Sequence, residues 1–409
     1  MTQPEKSRRR PGHGFRLGLF TVCSFTFTTV YWMLLAFLPV YLKQLAFPDA
    51  TIGLVTGAYS ISALLLMIPL GILADRISPR KILLVGGVVV WVHILGLLAA
   101  HKAWHFLVLA GLGGLGWAVF QIVLYALYLK VISERYQGMK IAIFQAGQFL
   151  GYGVGPLFAG MLWDHMDYQR MLGFAIGGGI FLNLCIFGLL DTEPISFDWK
   201  GYREDLSKGR TLLFLGICFL FATHFGVEQT AYTLFMRHEL QFTNRQIGLS
   251  YFSVGIWMAF LSPFVGHRFD VKQNLLQLLG FGLALSAIFQ VWTAWVHSLP
   301  GMVIVRILHT LGDAPAILAM GIMTALFFPK GRMGGNSAAI YMARTLGSFA
   351  GSLLTGALAP VVGYGGSFVY NGLFVLAASL CLYPLMQRQL ALIPRADGAP
   401  AARAAPSPS

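Results

Sequence analysis

The sequence predicts an all-α integral membrane protein: twelve transmembrane helices in two pseudo-symmetric six-helix bundles around a central cavity. Three observations carry this. Of 409 residues, 56% are hydrophobic and only 11% are charged, where a soluble domain carries about 25% charged residues. Apolar runs near the roughly 20 residues needed to cross a bilayer recur twelve times between short polar breaks. The two halves match at a constant offset of 195 residues, with Ile52-Gly53-Leu54 falling on Ile247-Gly248-Leu249, Gly71 on Gly266 and Asp75 on Asp270.

In order, the runs place spans near 18–42, 52–73, 82–100, 105–129, 141–163, 171–190, 211–236, 247–267, 273–296, 301–328, 338–362 and 367–386. The first run follows a basic start (Lys6, Arg8, Arg9, Arg10) and has no small-residue cleavage site, so it is expected to be retained as a span. The longest internal connection is polar and separates spans six and seven. The organisation is therefore an N-terminal tail (1–17), a first bundle (18–190), a hinge loop (191–210), a second bundle (211–388) and a low-complexity tail (389–409) expected to be disordered. An even number of spans puts both termini on one side. Of the 29 Lys and Arg, 22 fall on that side, five on the other and two inside spans. The positive-inside bias then makes both termini cytoplasmic in a multi-pass protein of the inner or plasma membrane.

Several function classes are excluded. The formal charge of +13 comes from bases scattered along short loops, without the interleaved aromatics of a nucleic-acid surface. Cys23, Cys185, Cys218 and Cys381 all fall in apolar stretches and form no CxxC pair, so no metal site or disulfide framework is indicated. There is no HExxH, GxSxG or phosphate loop, and little room for a soluble catalytic domain, so the chain is not expected to be an enzyme. Repeated halves with a site between them are a transporter architecture.

Between spans two and three stands Gly71-Ile72-Leu73-Ala74-Asp75-Arg76-Ile77-Ser78-Pro79-Arg80-Lys81. It resembles the signature loop of the major facilitator superfamily, GxLaDrxGrkx, with Ser78 for the second glycine. Physically, Gly71 allows close helix contact, and Asp75 can sit at a neighbouring helix N-terminus, whose positive end favours it. The resemblance gives Asp75, Arg76, Arg80 and Arg135 a gating role that stabilises the outward-facing state, with Asp270 and Arg268 a weaker copy. Span five carries Gly151-x3-Gly155-Pro156-x2-Ala159-Gly160, similar to the superfamily's antiporter signature GxxxGPxxGG. The same small residues also suit plain helix packing, and the proline a bend. The superfamily's span-four arginine is absent: Leu112-Gly113-Gly114-Leu115-Gly116-Trp117 stands there, with a partial second-half equivalent in Arg306-x2-His309-x2-Gly312.

Ionisable groups inside a membrane are costly and mark functional sites by default. Span seven has His224 and Glu228, span ten has Arg306, His309 and Asp313, and span eleven has Arg344, each set on one helical face. Shifted by 195, these positions read Thr29, Met33, Gly111, Gly114, Ala118 and Phe149, so the scaffold does not require charge there. Arg306 and Arg344 lie toward opposite span ends, where snorkelling is the structural alternative. All six form the expected proton-coupling set, with Asp313 or Glu228 as the proton-binding carboxylate. A histidine and a nearby carboxylate on span ten resemble the coupling side of lactose-permease-like symporters.

The first half offers aromatics and amides. Span four aligns Trp117, Gln121, Tyr125 and Tyr128, and span five aligns Gln145, Gln148 and Tyr152. With Tyr31, Trp32 and, more weakly, Tyr59, they suit an organic, partly apolar ligand held by stacking and hydrogen bonds. Tyr128, near the cytoplasmic end, is the expected anchor rather than a ligand contact. The resulting expectation is a monomeric secondary transporter that moves a small organic molecule by alternating access. It is drug:proton-antiporter-like, driven by the proton gradient without a cofactor or metal, and exports its substrate. Proton-coupled uptake is the alternative within transport, and a membrane sensor on the same fold the alternative outside it.

Overall fold

The computed structural model describes residues 13–47, 49–163, 165–193, 199–272 and 274–390. The expectations for the basic start at 1–12 and for the tail beyond 390 lie outside the described residues. So does 194–198 of the hinge.

The chain runs through α1 (His13–Leu35), a short α2 (Leu38–Gln44), α3 (Asp49–Arg76) and α4 (Pro79–Leu98). Next come α5 (Ala103–Val131), α6 (Gln137–Leu162) and α7 (Tyr168–Phe187). The hinge contributes α8 (Trp199–Ser207), and the second half continues with α9 (Gly209–Glu239), α10 (Asn244–Lys272), α11 (Leu275–Thr293) and α12 (Leu299–Phe327). The last helical stretch, Met333–Leu390, breaks at Gly363, where φ is 75° and ψ 171°. That region is open essentially to glycine alone, so the break divides the stretch into α13 (333–362) and α14 (364–390). Helix starts follow from local chemistry. Ser78 accepts from the Lys81 N–H ahead of Pro79, Asp167 from the Arg170 N–H, and Ser298 from the Gly301 N–H.

The protein is a multi-pass membrane protein with no strand among the described residues. Among the described residues, ten helices are long and apolar enough to cross a bilayer by length and composition. Of the twelve predicted spans, α6 and α13 are helical but fall short of that measure. Glycine together with Gln145 and Gln148 dilutes α6, and glycine, serine and threonine dilute α13. Both pack into the protein: α6 lies against α1 and α10, and α13 against α3 and α9. These two helices therefore join the first half of the chain to the second. The α6–α10 seam depends on missing side chains, since a Cβ on Gly153 would stand 3.0 Å from the Gly255 Cα. Apolar side chains such as Leu65, Val85 and Phe187 point outward.

Two long helices are not regular. α5 takes a π-helical turn over Val119–Leu124, and α9 takes π-helical turns over Glu228–Tyr232 and Phe235–Glu239. Such turns concentrate at functional sites. Here they contain Gln121 and Glu228.

Candidate functional site

The i, i+4 spacing on α9 and the i, i+3, i+7 spacing on α12 turn five ionisable side chains toward one another. All are buried, Arg306 to 1% exposure and His309 to 0%. Arg306 forms an ion pair with Glu228, and its guanidinium carbon lies 4.8 Å from the centre of the Tyr232 ring. The snorkelling alternative for Arg306 is thereby overturned, because a buried carboxylate and an aromatic face hold its head group in the interior.

His309 links the two carboxylates. Its Nε2 is 3.1 Å from Glu228 Oε1 and 3.1 Å from Asp313 Oδ2, while Nδ1 lies 2.8 Å from the Ser286 carbonyl oxygen. His224 repeats the pattern, with Nδ1 on the Phe221 carbonyl and Nε2 3.6 Å from Asp313 Oδ1. A ring whose Nδ1–H is taken by a carbonyl presents Nε2 to the carboxylate, where one proton decides the interaction. Two carboxylates and one guanidinium leave one negative charge uncompensated in a buried space, which is costly. One further positive charge beside His309, His224 and Asp313 would balance it. The donor atoms of these three residues lie within 4.8 Å of one another, close enough to share a small cation or a proton.

Tyrosines cover the cluster. The Tyr232 hydroxyl meets Ser250 Oγ at 2.5 Å and Tyr251 meets Thr233 at 2.8 Å, while the Tyr251 ring packs edge-on to Tyr152 at 5.5 Å. Tyr152, grouped from the sequence with Gln145 and Gln148, thus faces the ion cluster and also packs against Trp32.

Arg344 does not join this set. It stands between the rings of Tyr341, 5.5 Å away, and Phe225, 6.0 Å away, and no carboxylate among the described residues pairs with it. Its placement in the coupling set is corrected: α13 presents it to aromatic rings rather than to Glu228 or Asp313.

The first-half surface is aromatic and amide-rich. Tyr31 stacks on Trp117 at 4.3 Å and Phe27 on Phe120 at 4.4 Å. Gln148 Nε2 donates to Gln121 Oε1 at 2.9 Å. The Tyr125 hydroxyl, Gln145 Oε1 and Thr28 Oγ1 are buried without a hydrogen-bond partner. Gln121, Tyr125, Gln148 and Tyr341 line a narrow internal cavity. Tyr59 is occupied by the buried His93, at 3.2 Å. Tyr128 donates to the Lys140 carbonyl at 2.6 Å, so it fastens α5 to α6 instead of sitting in a headgroup layer.

At the basic end, Asp75 gathers four donors. Gly334 and Gly335 N–H at the start of α13 lie at 3.1 and 3.0 Å, Lys130 Nζ at 2.5 Å, and the Tyr202 hydroxyl of α8 at 2.6 Å. Charge-assisted bonds of this kind contribute about 1.5–3 kcal/mol each. A Cβ on Gly71 would stand 2.5 Å from the Gly334 carbonyl oxygen, so only glycine lets α3 come this near. Asp270 caps α6 in the same way, accepting from Gly138 and Met139 N–H at 2.9 Å each. Arg135 lies 5.2 Å from the Tyr136 ring, and Lys130 is the base that pairs with Asp75. Arg80 contacts Asp191, 3.9 Å away, at the start of the hinge, and Arg76 is exposed. On α6, Gly151 and Gly155 meet the α1 carbonyls of Phe25 and Thr29, and the Pro156 carbonyl faces Gly248 of α10.

Sequence reasoning missed the part played by α8. Besides Tyr202, its Asp205 accepts from Arg332 Nε at 2.8 Å and Asn336 Nδ2 at 3.1 Å, with Lys208 at 3.3 Å. Burial pushes the Asp205 carboxyl up, but these donors outweigh it and hold it below the ordinary value of 3.8. The contribution of Asp205 to holding α8 in place is thus complete above about pH 4 and fades only as the pH falls through its lowered value. Lys130, Tyr202 and Asp205 read in sequence as ordinary loop residues. Tyr232 had a signal, lying four residues after Glu228.

The Major Facilitator Superfamily model matches this chain twice, over residues 20–234 and 212–407. An uncharacterized MFS-type transporter of Methanocaldococcus jannaschii is 22% identical over 391 residues, covering 90% of this chain and 98% of the relative. The quinolone resistance protein NorA of Staphylococcus aureus is 22% identical, covering 64% of this chain and 71% of its own. Among solved structures, the human organic anion transporter MFSD10 superposes with a TM-score of 0.76 at 17% identity, over 91% of this chain and 100% of that one. At that identity the likeness is one of fold.

Proposed function

The chain belongs to the major facilitator superfamily, a family of membrane transporters rather than enzymes, and from that premise we propose that it exports a small organic molecule by proton-driven antiport. The observation that carries the proton is the buried cluster of Glu228, Arg306, His309, Asp313 and His224, one positive charge short of neutrality. Glu228 is committed to Arg306. Asp313, facing two imidazole nitrogens, is left as the carboxylate whose proton comes and goes.

In this reading the state described has both Asp75 and Asp270 latches closed at the basic, cytoplasmic end. A proton arriving from the opposite side balances the cluster. Taken up by the Asp313 carboxylate, the proton neutralises it and weakens its hold on the histidines of α9 and α12, so that these helices can rearrange and the latches release. Substrate enters from the cytoplasm as the proton leaves, and the cycle returns. Export is supported by the α6 pattern Gly151, Gly155 and Pro156 and by relatives named for quinolone and multidrug resistance and for sugar efflux. The α12 histidine and carboxylate equally suit proton-coupled uptake, which remains the second reading. The protein acts as a monomer in the cell membrane with both termini cytoplasmic.

The test compares internal and external metabolites of cells overproducing wild type or Asp313→Asn. The expected result is a compound depleted inside and enriched outside with wild type only. Accumulation inside would replace export by uptake. A pH-driven flux that persists unchanged in Asp313→Asn would remove the proton assignment.

A further inference from the structure

Among the described residues, the fully buried charges of the helical core have opposite charges or imidazoles beside them. Glu228 and Arg306 pair, Asp313 faces two histidines, and Asp75 holds Lys130. Arg344 of α13 is half-buried and has no acidic partner among the described residues, its guanidinium held only by the faces of Tyr341 and Phe225. An arginine at membrane depth is costly, and cation–π contacts return about 0.5–2 kcal/mol each. The first-half repeat carries Phe149 at the matching position. The fold itself therefore does not ask for the charge.

The surroundings of Arg344 are equally incomplete. Tyr341, one turn before it, packs edge-on to Tyr125 with ring centres 6.0 Å apart. The Tyr125 hydroxyl lacks a hydrogen-bond partner, as does Gln145 Oε1. Beyond them lie the Gln121–Gln148 pair and the stacked rings of Tyr31 and Trp117. From α13 to α1 the order is a free guanidinium, then unsatisfied hydroxyl and amide groups, then flat aromatic faces.

We propose that the substrate is an organic monoanion with a planar, apolar body, and that Arg344 is the residue that binds its carboxylate, sulfonate or phosphate group. A guanidinium offers a planar fork of donors that matches such oxyanions. Tyr125 and the amides take the polar middle of the molecule, and Tyr31 and Trp117 the apolar end. The bound anion supplies the countercharge that Arg344 lacks. Phe225 connects the two charge systems, since it flanks Arg344 on one side and follows His224 in α9. This substrate class rests on the transport reading, but its test reads binding alone.

The purified full chain in detergent is titrated with three probes of one shape, naphthalene-2-sulfonate, naphthalene-2-sulfonamide and 2-naphthylmethylamine, and binding is followed by thermal stabilisation. Wild type is expected to bind the sulfonate at least tenfold more tightly than the neutral and cationic analogues. Arg344→Gln should lose that preference, and Arg344→Lys should keep part of it because the charge remains. Equal affinity of wild type for the three probes, no stabilisation by the anion, or a sulfonate preference that survives in Arg344→Gln would each overturn the assignment. Should Arg344→Gln fail to fold, the preference of wild type and its reduction in Arg344→Lys still decide. Arg344-dependent anion binding without flux would leave the inference standing and count against the transport reading.

Discussion

The two halves of this chain share one scaffold and place charge at different depths. In the second half the charge lies in the interior: His309 stands between Glu228 and Asp313 and anchors to the Ser286 carbonyl. The matching first-half residue is Gly114, against which the Tyr59 carbonyl of α3 packs so closely that no side chain would fit. There α5 simply touches α3. The first half instead gathers charge at the basic end, where Asp75 holds Lys130, Tyr202 and the start of α13. A scaffold that tolerates Gly114 and Ala118 where its repeat has His309 and Asp313 gains no necessary stability from those groups. Their presence supports the coupling role proposed above.

The strongest way to break this comparison is to remove one member of the interior set. Arg306→Met leaves Glu228 buried and uncompensated, which should cost about 3–5 kcal/mol. A second change, Glu228→Met, should restore most of the loss. Thermal denaturation in detergent of the single and double variants measures both, and equal stability of the two would show that the pair is not a unit.

At the first-half site, Asp75→Asn keeps size but removes the ion pair with Lys130 and weakens two N–H contacts to α13. The expected outcome is a population shift toward a state open at the basic end. Spin labels at Glu134 and Lys330, whose side chains are 4.0 Å apart across that face, should report a longer distance. An unchanged distance distribution would mean that the latch does not hold the state.

The smallest expected effect is on the first-half interior. Replacing Gln121 and Gln148 together by Leu removes one hydrogen bond, worth about 1 kcal/mol. Substrate affinity should fall by about fivefold while the response of flux to the proton gradient stays as in wild type. A lost gradient response would show that both halves share the coupling role.

Much of this was legible in the sequence because it is periodic. The helical spacing of His224 with Glu228, and of Arg306 with His309 and Asp313, puts each set on one face whatever surrounds it. Subtracting the repeat separated residues the fold needs from those it does not. Arg344 obeys the same logic locally, yet it was grouped with the wrong partners, because spacing along one helix says nothing about which neighbour that helix meets. Lys130, which the motif did not single out, is the base that pairs with Asp75, and only the meeting of helix ends reveals it. The π-helical turns at Gln121 and Glu228 left no trace in the pattern of side chains.

By itself the sequence determined the membrane class, the order of helices and the family, since these follow from hydropathy, repeat spacing and a local motif that each depend on neighbours along the chain. The tertiary structure decided the pairing of charges: Glu228 to Arg306, Asp313 to two histidines, Asp75 to Lys130 and Tyr202, and Arg344 to no acid among the described residues. In a medium of low dielectric, a charge is governed by the groups within a few ångströms of it. Those groups come from helices up to 260 residues apart in the chain, as with Gly335 and Asp75.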